Sequence, residues 1–211
     1  MNIFDYDSYF FDCDGVILDS NEVKTKAFRD TLNFYNSNYT QEFLDYHISN
    51  NGVSRDNKFK YYFEKILKKP SIISTDLYLN KFHSFVMDGL KKSQLIDGFL
   101  KFFIFLKKNK KKTFVISAGS KREIECVFKL KKIDIFFNGI YGSDHSKIHH
   151  IKEITKKNNF KKGVFFGDSK VDYLAALASN LDFIYVKQKS NWKNYDEFQF
   201  HNTINNFEDY I

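Results

Sequence analysis

The stretch Tyr9-Phe10-Phe11-Asp12-Cys13-Asp14-Gly15-Val16 runs from three aromatic residues straight into an acidic turn. Such a run is too short for a helix and apolar on both sides, as a strand buried on both faces of a parallel sheet must be. Working outward, the same pattern recurs. Thr113-Phe114-Val115-Ile116 ends at Ser117-Ala118-Gly119, Gly163-Val164-Phe165-Phe166 ends at Gly167-Asp168, and Phe183-Ile184-Tyr185-Val186 is a fourth apolar run. Helical periodicity separates them, at about 97–109, 120–132, 146–158 and 170–179. This alternation predicts an α/β fold with a doubly wound, Rossmann-like parallel-sheet core.

Residues 20–93 break the rhythm. Ala27-Phe28, Leu32 and Tyr35 mark one helix, Phe59, Tyr62-Phe63 and Ile66-Leu67 a second, and Leu79, Phe82 and Val86 a third. No strand pattern lies among them. The expectation is a helical domain at 20–93 inserted after the first strand, with the core at 1–19 and 94–211 and Asp97-Gly98 marking the return.

Composition narrows the function. With 211 residues, 43% of them hydrophobic and 25 Phe and 13 Tyr among them, the chain can bury a core with a small insertion. No window offers the roughly 18 uncharged apolar residues of a membrane span, and Asp5 and Asp7 do not fit a signal peptide. Cys13 and Cys126 make no disulfide framework, which suits the cytoplasm. The net charge is +7, and Lys107, Lys108, Lys110, Lys111 and Lys112 form the densest basic run. Leu100, Phe103 and Leu106 recur at helical spacing just before it, and no aromatic residue interleaves it. The run therefore reads as the solvated end of an amphipathic helix, where cations complement the macrodipole, and not as a nucleic-acid patch.

The chemistry gathers at strand ends, where ligands sit in open α/β sheets. Asp12 and Asp14, two residues apart on a turn, can divide the labour of nucleophile and general acid/base. Ser117 and the N–H groups of the loop beyond it, from Ala118, face the start of a helix opened by Ser120-Lys121-Arg122-Glu123, a capping-box spacing whose N-terminus favours an anion. Gly167-Asp168-Ser169-Lys170-Val171-Asp172 adds two carboxylates, although Ser169 and Asp172 also fit a capping box. An oxygen-rich, phosphate-facing site of this kind suits magnesium. His149 and His150 point roughly 100° apart on a helix, so they do not share one ion and read as surface residues. Cys13, between two acids that raise its pKa, reads as a small buried spacer.

On these residues the chain resembles the haloacid dehalogenase superfamily, in the branch holding phosphoglycolate phosphatase-like and β-phosphoglucomutase-like enzymes. Phe10 through Ser20 is similar to the family's first motif, Val115-Ile116-Ser117 to its second, and Gly167-Asp168-Ser169 through Asp172 to its fourth. Lys147, in Gly142-Ser143-Asp144-His145-Ser146-Lys147, is the best candidate for the third, and the 20–93 insertion looks like the helical cap. The resemblance implies that Asp12 attacks phosphorus to form an aspartyl-phosphate while Asp14 protonates the leaving oxygen and then activates water. It implies that Ser117, Ala118 and Lys147 hold phosphoryl oxygens. It further implies that magnesium is bound by Asp12, the Asp14 backbone carbonyl and Asp168, with Asp172 nearby or linked through water.

Asn50-Asn51-Gly52-Val53-Ser54-Arg55 resembles the cap loop of β-phosphoglucomutase-like members, which makes Arg55 and Asn51 the specificity candidates, with Lys58 and His47 behind them. Similar family members associated with surface-polysaccharide precursors point to a phosphorylated sugar. The expected partner is a small phosphate ester, with neither nucleic acid nor membrane, acting on a monomer or weak homo-oligomer. A phosphomutase would use the same residues, and a basic nucleic-acid-binding protein on a degenerate scaffold is the remaining alternative.

Overall fold

Alternate side chains along the central strands go to opposite faces of one sheet, and both faces are covered. In this computed structural model, which describes residues 3–69 and 75–210, Phe11, Val115, Phe166, Ile184 and Val186 pack on one side. Phe10, Phe114, Ile116, Phe165, Phe183 and Tyr185 pack on the other. A strand with large apolar side chains on both faces has no solvated side, so helices must flank it.

Six parallel strands form the sheet: β1 (Ser8–Phe11), β2 (Lys112–Ile116), β3 (Gly139–Tyr141), β4 (Gly163–Gly167), β5 (Asp182–Val186) and β6 (Asn202–Ile204), in the order β3-β2-β1-β4-β5-β6. The central strand β1 pairs with both β2 and β4, so the carboxyl ends of three strands lie side by side. The edge strands β3 and β6, three residues each, are the two that sequence pattern misses. So short a run shows no period of its own; its pairing comes from the neighbouring strand.

Between β1 and β2 lie only helices among the described residues: α1 (Asn21–Leu32), α2 (Ser37–Ser49), α3 (Arg55–Tyr61) running into a π-helical turn at Tyr62–Ile66, α4 (Thr75–Lys92) and α5 (Phe99–Lys108). Residues 70–74 of the predicted insertion lie outside the described residues. Helix α2 is absent from the sequence reading; its buried face is only Thr40, Phe43, Leu44 and His47, too polar for apolar periodicity to reveal. Phe28, Phe43, Phe59 and Phe82 form the aromatic interior of the insertion, with Phe28–Phe82 ring centroids 4.3 Å apart. The two connectors to the sheet lie side by side: Asp19 N donates to Gln94 O at 2.9 Å and Ile96 N to Ile17 O at 3.0 Å.

Helices α6 (Lys121–Lys131), α7 (Lys147–Asn158) and α8 (Lys170–Ala178) follow β2, β3 and β4. Two expectations need correction here. Leu100 is 45% exposed, and the buried stripe of α5 is Phe99, Phe102, Phe103 and Leu106. A helix takes its phase from what it packs on, and Phe99, Phe102 and Phe103 all meet Phe207, with ring centroids 6.0, 5.3 and 6.3 Å away. His150 is buried, not superficial: its Nε2 lies 3.0 Å from Gly142 O and its ring 5.1 Å from Tyr141. The lysine run does end an amphipathic helix, and Lys107 and Lys111 donate to backbone carbonyls of Ile135, Phe4 and Tyr6. No helix among the described residues is long and apolar enough to cross a membrane.

Candidate active site

Strand pairing carries one residue past β1, since Asp12 N donates to Phe166 O at 2.9 Å. The chain then turns through Gly15, whose φ of +76° is left-handed and whose added Cβ would lie 2.2 Å from Asp168 Oδ2. Only glycine lets the turn after β1 approach the carboxylate after β4 so closely. Asp12, Asp168 and Asp172 are all buried, and one oxygen from each lies within 4.8 Å of the others.

Lys147 is the cation set against them. It opens α7, whose N-cap Ser146 accepts from His149 N at 3.2 Å. Its Nζ lies 2.9 Å from Asp12 Oδ1 and 2.5 Å from Asp172 Oδ1. Burial works against its charge, but Asp12 and Asp172 outweigh it and hold the ammonium above its ordinary range. The other oxygen of Asp172 accepts from Ser169 N at 3.1 Å and Ser169 Oγ at 2.6 Å. Asp172 is therefore both the predicted capping box of α8 and a positioner of Lys147.

Three carboxylates against one ammonium leave an excess of buried negative charge. Burial, offset by Lys147 but reinforced by Asp172 and Asp14, pushes Asp12 up to about 7. Burial, Asp12 and Asp172 push Asp168 well above the carboxylate range, although Asn21 Nδ2 donates to Asp168 Oδ2 at 2.9 Å. A set of all-oxygen donors that resists holding its charges without a counter-ion fits a hard divalent cation.

Asp14 has different surroundings. Its Oδ2 pairs with Lys24 of α1 and its Oδ1 accepts from Ser20 Oγ at 2.6 Å. Burial alone would raise this carboxyl, but Lys24 and Ser20 overcome it and hold Asp14 below the usual range. Two carboxyls two residues apart are thus driven in opposite directions by their different surroundings. Cys13 between them is buried with its thiol pushed well up, as a spacer should be. Ser117, at the end of β2, is buried and its Oγ accepts from Gly119 N at 3.0 Å.

The insertion closes the site. Gly52, at φ +88°, lies so close to the core that a Cβ would meet Ser169 Oγ at 2.7 Å. Asp12, Asp14, Asp168 and Ala118 face a pocket whose far wall carries Asn51, Arg55 and Lys58. Ser117 and Lys147 border an adjoining groove that shares Val53 and Ala118 with that pocket. The structure therefore brings Asn51 and Arg55 together with the carboxylates.

Arg55 is nevertheless occupied. Ser54 caps α3 through Asn57 N, and the Arg55 guanidinium grips Glu123 of α6 with both arms, Nη1 to Oε1 at 2.7 Å. It also lies 4.6 Å over the Phe82 ring. The predicted capping box at Ser120 does not form, because Glu123 turns away to Arg55 and to His83 Nδ1 at 2.6 Å. Lys24, Asn21 and Glu123 are the site residues that sequence pattern misses. One lysine or asparagine among many carries no local signal.

The chain belongs to the haloacid dehalogenase-like hydrolase family, which matches residues 9–186. Among solved structures it is similar to CbbY from Rhodobacter sphaeroides in complex with phosphate, at 14% identity and TM-score 0.74, covering 96% of this chain and 95% of that one. It is also similar to β-phosphoglucomutase from Clostridium difficile, at 18% identity and TM-score 0.72 over 98% and 93% of the two chains. A third is the HAD-hydrolase YfnB from Bacillus subtilis bound to magnesium, at 18% identity and TM-score 0.70 over 97% and 96%. At these identities the likeness is one of fold. No curated protein matches the chain.

Proposed function

We propose that this protein is a magnesium-dependent phosphatase that hydrolyses a small phosphorylated metabolite, such as a sugar phosphate, through an aspartyl-phosphate on Asp12. One observation carries the reading: Asp12 stands at the end of the central strand, fixed by Lys147 and flanked by Asp168 and Asp172. An Asp12 oxygen attacks phosphorus, the P–O bond to the leaving alcohol breaks, and Asp14 supplies that oxygen with a proton. Asp14, now a carboxylate paired with Lys24, then takes a proton from the water that attacks the same phosphorus, and Asp12 is released.

Asp14 rests ionised beside Lys24, so it enters the cycle ready for the second step and must gain a proton for the first. The approach of a phosphate dianion raises its proton affinity. Lys147 and the Ser117–Ala118 loop receive the phosphoryl oxygens, and Asp12, Asp168 and the Asp14 carbonyl would hold magnesium, with Asp172, whose oxygens are engaged by Lys147 and Ser169, nearby or linked through water. The cation supplies the charge that lets an anionic nucleophile approach an anionic phosphate.

The test is phosphate release from a library of phosphate esters, repeated in EDTA and after magnesium is restored. Activity should vanish and return; full turnover without metal overturns the reading. Dependence on a bisphosphate activator would make the enzyme a phosphomutase instead. The wider partition, a catalytic core at 1–19 and 94–211 beneath a cap at 20–93, belongs to the same proposal.

A further inference from the structure

Three cations of the insertion reach the pocket, and two already have anions. Lys24 pairs with Asp14 and Arg55 with Glu123. Lys58, on α3, is 4% exposed, and among the described residues no carboxylate pairs with it. Its Nζ meets His47 Nδ1 at 2.8 Å. An ammonium can only donate, so His47 Nδ1 accepts and Nε2 carries the ring proton, which points to Thr25 Oγ1 at 3.1 Å. Thr25 Oγ1 in turn donates to Asn21 O at 3.0 Å. This chain uses one of the three ammonium protons and holds the head group in place. In the lining of the same pocket, the buried Asn51 side-chain nitrogen has no hydrogen-bond partner among the described residues.

A buried ammonium without an anion costs several kcal/mol, and an unpartnered amide N–H adds to that cost. Burial and Lys24 accordingly press Lys58 down to about 7. Both residues line the same pocket as Asp12, from the inserted segment and not from the sheet. We infer that Lys58, with the Asn51 amide, receives a second anionic group of the substrate, a carboxylate or phosphate at the end remote from the reacting phosphoryl. The inference rests on the phosphatase reading and names the substrate class within it: phosphate esters that carry a distal anion. It also separates two tasks of one wall, since Arg55 joins the insertion to the core through Glu123 while Lys58 remains for the ligand.

The experiment compares 3-phosphonopropionate with propylphosphonate by calorimetry on the magnesium-loaded protein, because neither is hydrolysed. Wild-type protein should bind the carboxylate-tailed phosphonate about tenfold tighter, the scale of one charge-assisted contact. Lys58→Met, an apolar side chain of similar length, should bind the two alike and melt at a higher temperature. Lys58→Gln serves the same comparison should the methionine variant not fold. Equal binding by wild type, or a preference that survives both substitutions, overturns the inference. A parallel kinetic arm uses phosphate esters ending in carboxylate, phosphate or hydroxyl; the preferred tail identifies the anion. Equal kcat/KM on all three sinks the inference and leaves the phosphatase reading standing. Absence of phosphate release from every ester sinks that reading, while the phosphonate pair still reports on Lys58.

Discussion

Arg55→Ala breaks the bidentate ion pair that joins α3 to α6 through Glu123. Glu123 is 4% exposed, and burial would raise its carboxyl were it not for the Arg55 hydrogen bonds that hold it below the usual range. Removing one partner of a buried pair costs about 3–5 kcal/mol. His83 Nδ1, already 2.6 Å from Glu123, keeps the carboxylate from being left wholly unpartnered, so the cost falls below that range. The net penalty is roughly 1–3 kcal/mol, and it falls on the docked arrangement, because Glu123 regains water when the insertion lifts away. With tenfold for each 1.4 kcal/mol or so, kcat/KM should drop about 5- to 140-fold. Since docking serves every substrate, p-nitrophenyl phosphate and a longer ester should suffer alike. The assay is a double-mutant cycle of Arg55→Ala and Glu123→Gln on both substrates. A coupling of about 1.5 kcal/mol or more is expected; additivity within about 0.5 kcal/mol would refute the reasoning. A loss confined to the longer ester would instead give Arg55 the substrate contact that its loop resemblance implies.

Asp12→Asn should reduce turnover to background with the fold intact, and Asp14→Asn should slow it by roughly 10²–10⁴-fold; retention of a tenth of the activity by either would reassign the roles. Calcium should occupy the carboxylate site yet support little turnover, because its larger and looser shell misplaces the nucleophile; equal rates with calcium and magnesium would contradict this. His47 is pushed down to about 2 by burial first and then by Lys58 and Lys24, against an ordinary 6.5. Between those values the unfolded chain binds one more proton, so this stability is whole above pH 6.5 and lost as pH falls, at about 1.4 kcal/mol per unit. Urea midpoints of His47→Gln should therefore fall less between pH 7 and 5 than those of wild type, and parallel decline would refute it.

Much of this fold is legible along the chain because its signals are local. Three aromatic residues before Asp12, or Val164-Phe165-Phe166 before Gly167, can be buried on both faces only in a covered parallel sheet. The carboxylates of Asp12, Asp14, Asp168 and Asp172 follow from standing at strand ends, and the capping box of Ser169 and Asp172 from a three-residue spacing. What sequence alone could not decide is which partner each buried charge takes. Glu123 has the spacing to cap its own helix, yet it faces a guanidinium brought 68 positions through the chain. The bidentate pair outcompetes a cap that water could replace. Lys24 and Lys58 are two lysines among 33 basic residues until α1 and α3 fold over the sheet. One then lands on Asp14 and the other on a neutral histidine. Leu100 and His150 show the same limit, since helix phase and ring burial depend on the surface packed beneath them. Backbone preference and apolar period act over a few residues and can be read in order; desolvation and charge pairing act through space, and only the tertiary structure assigns them.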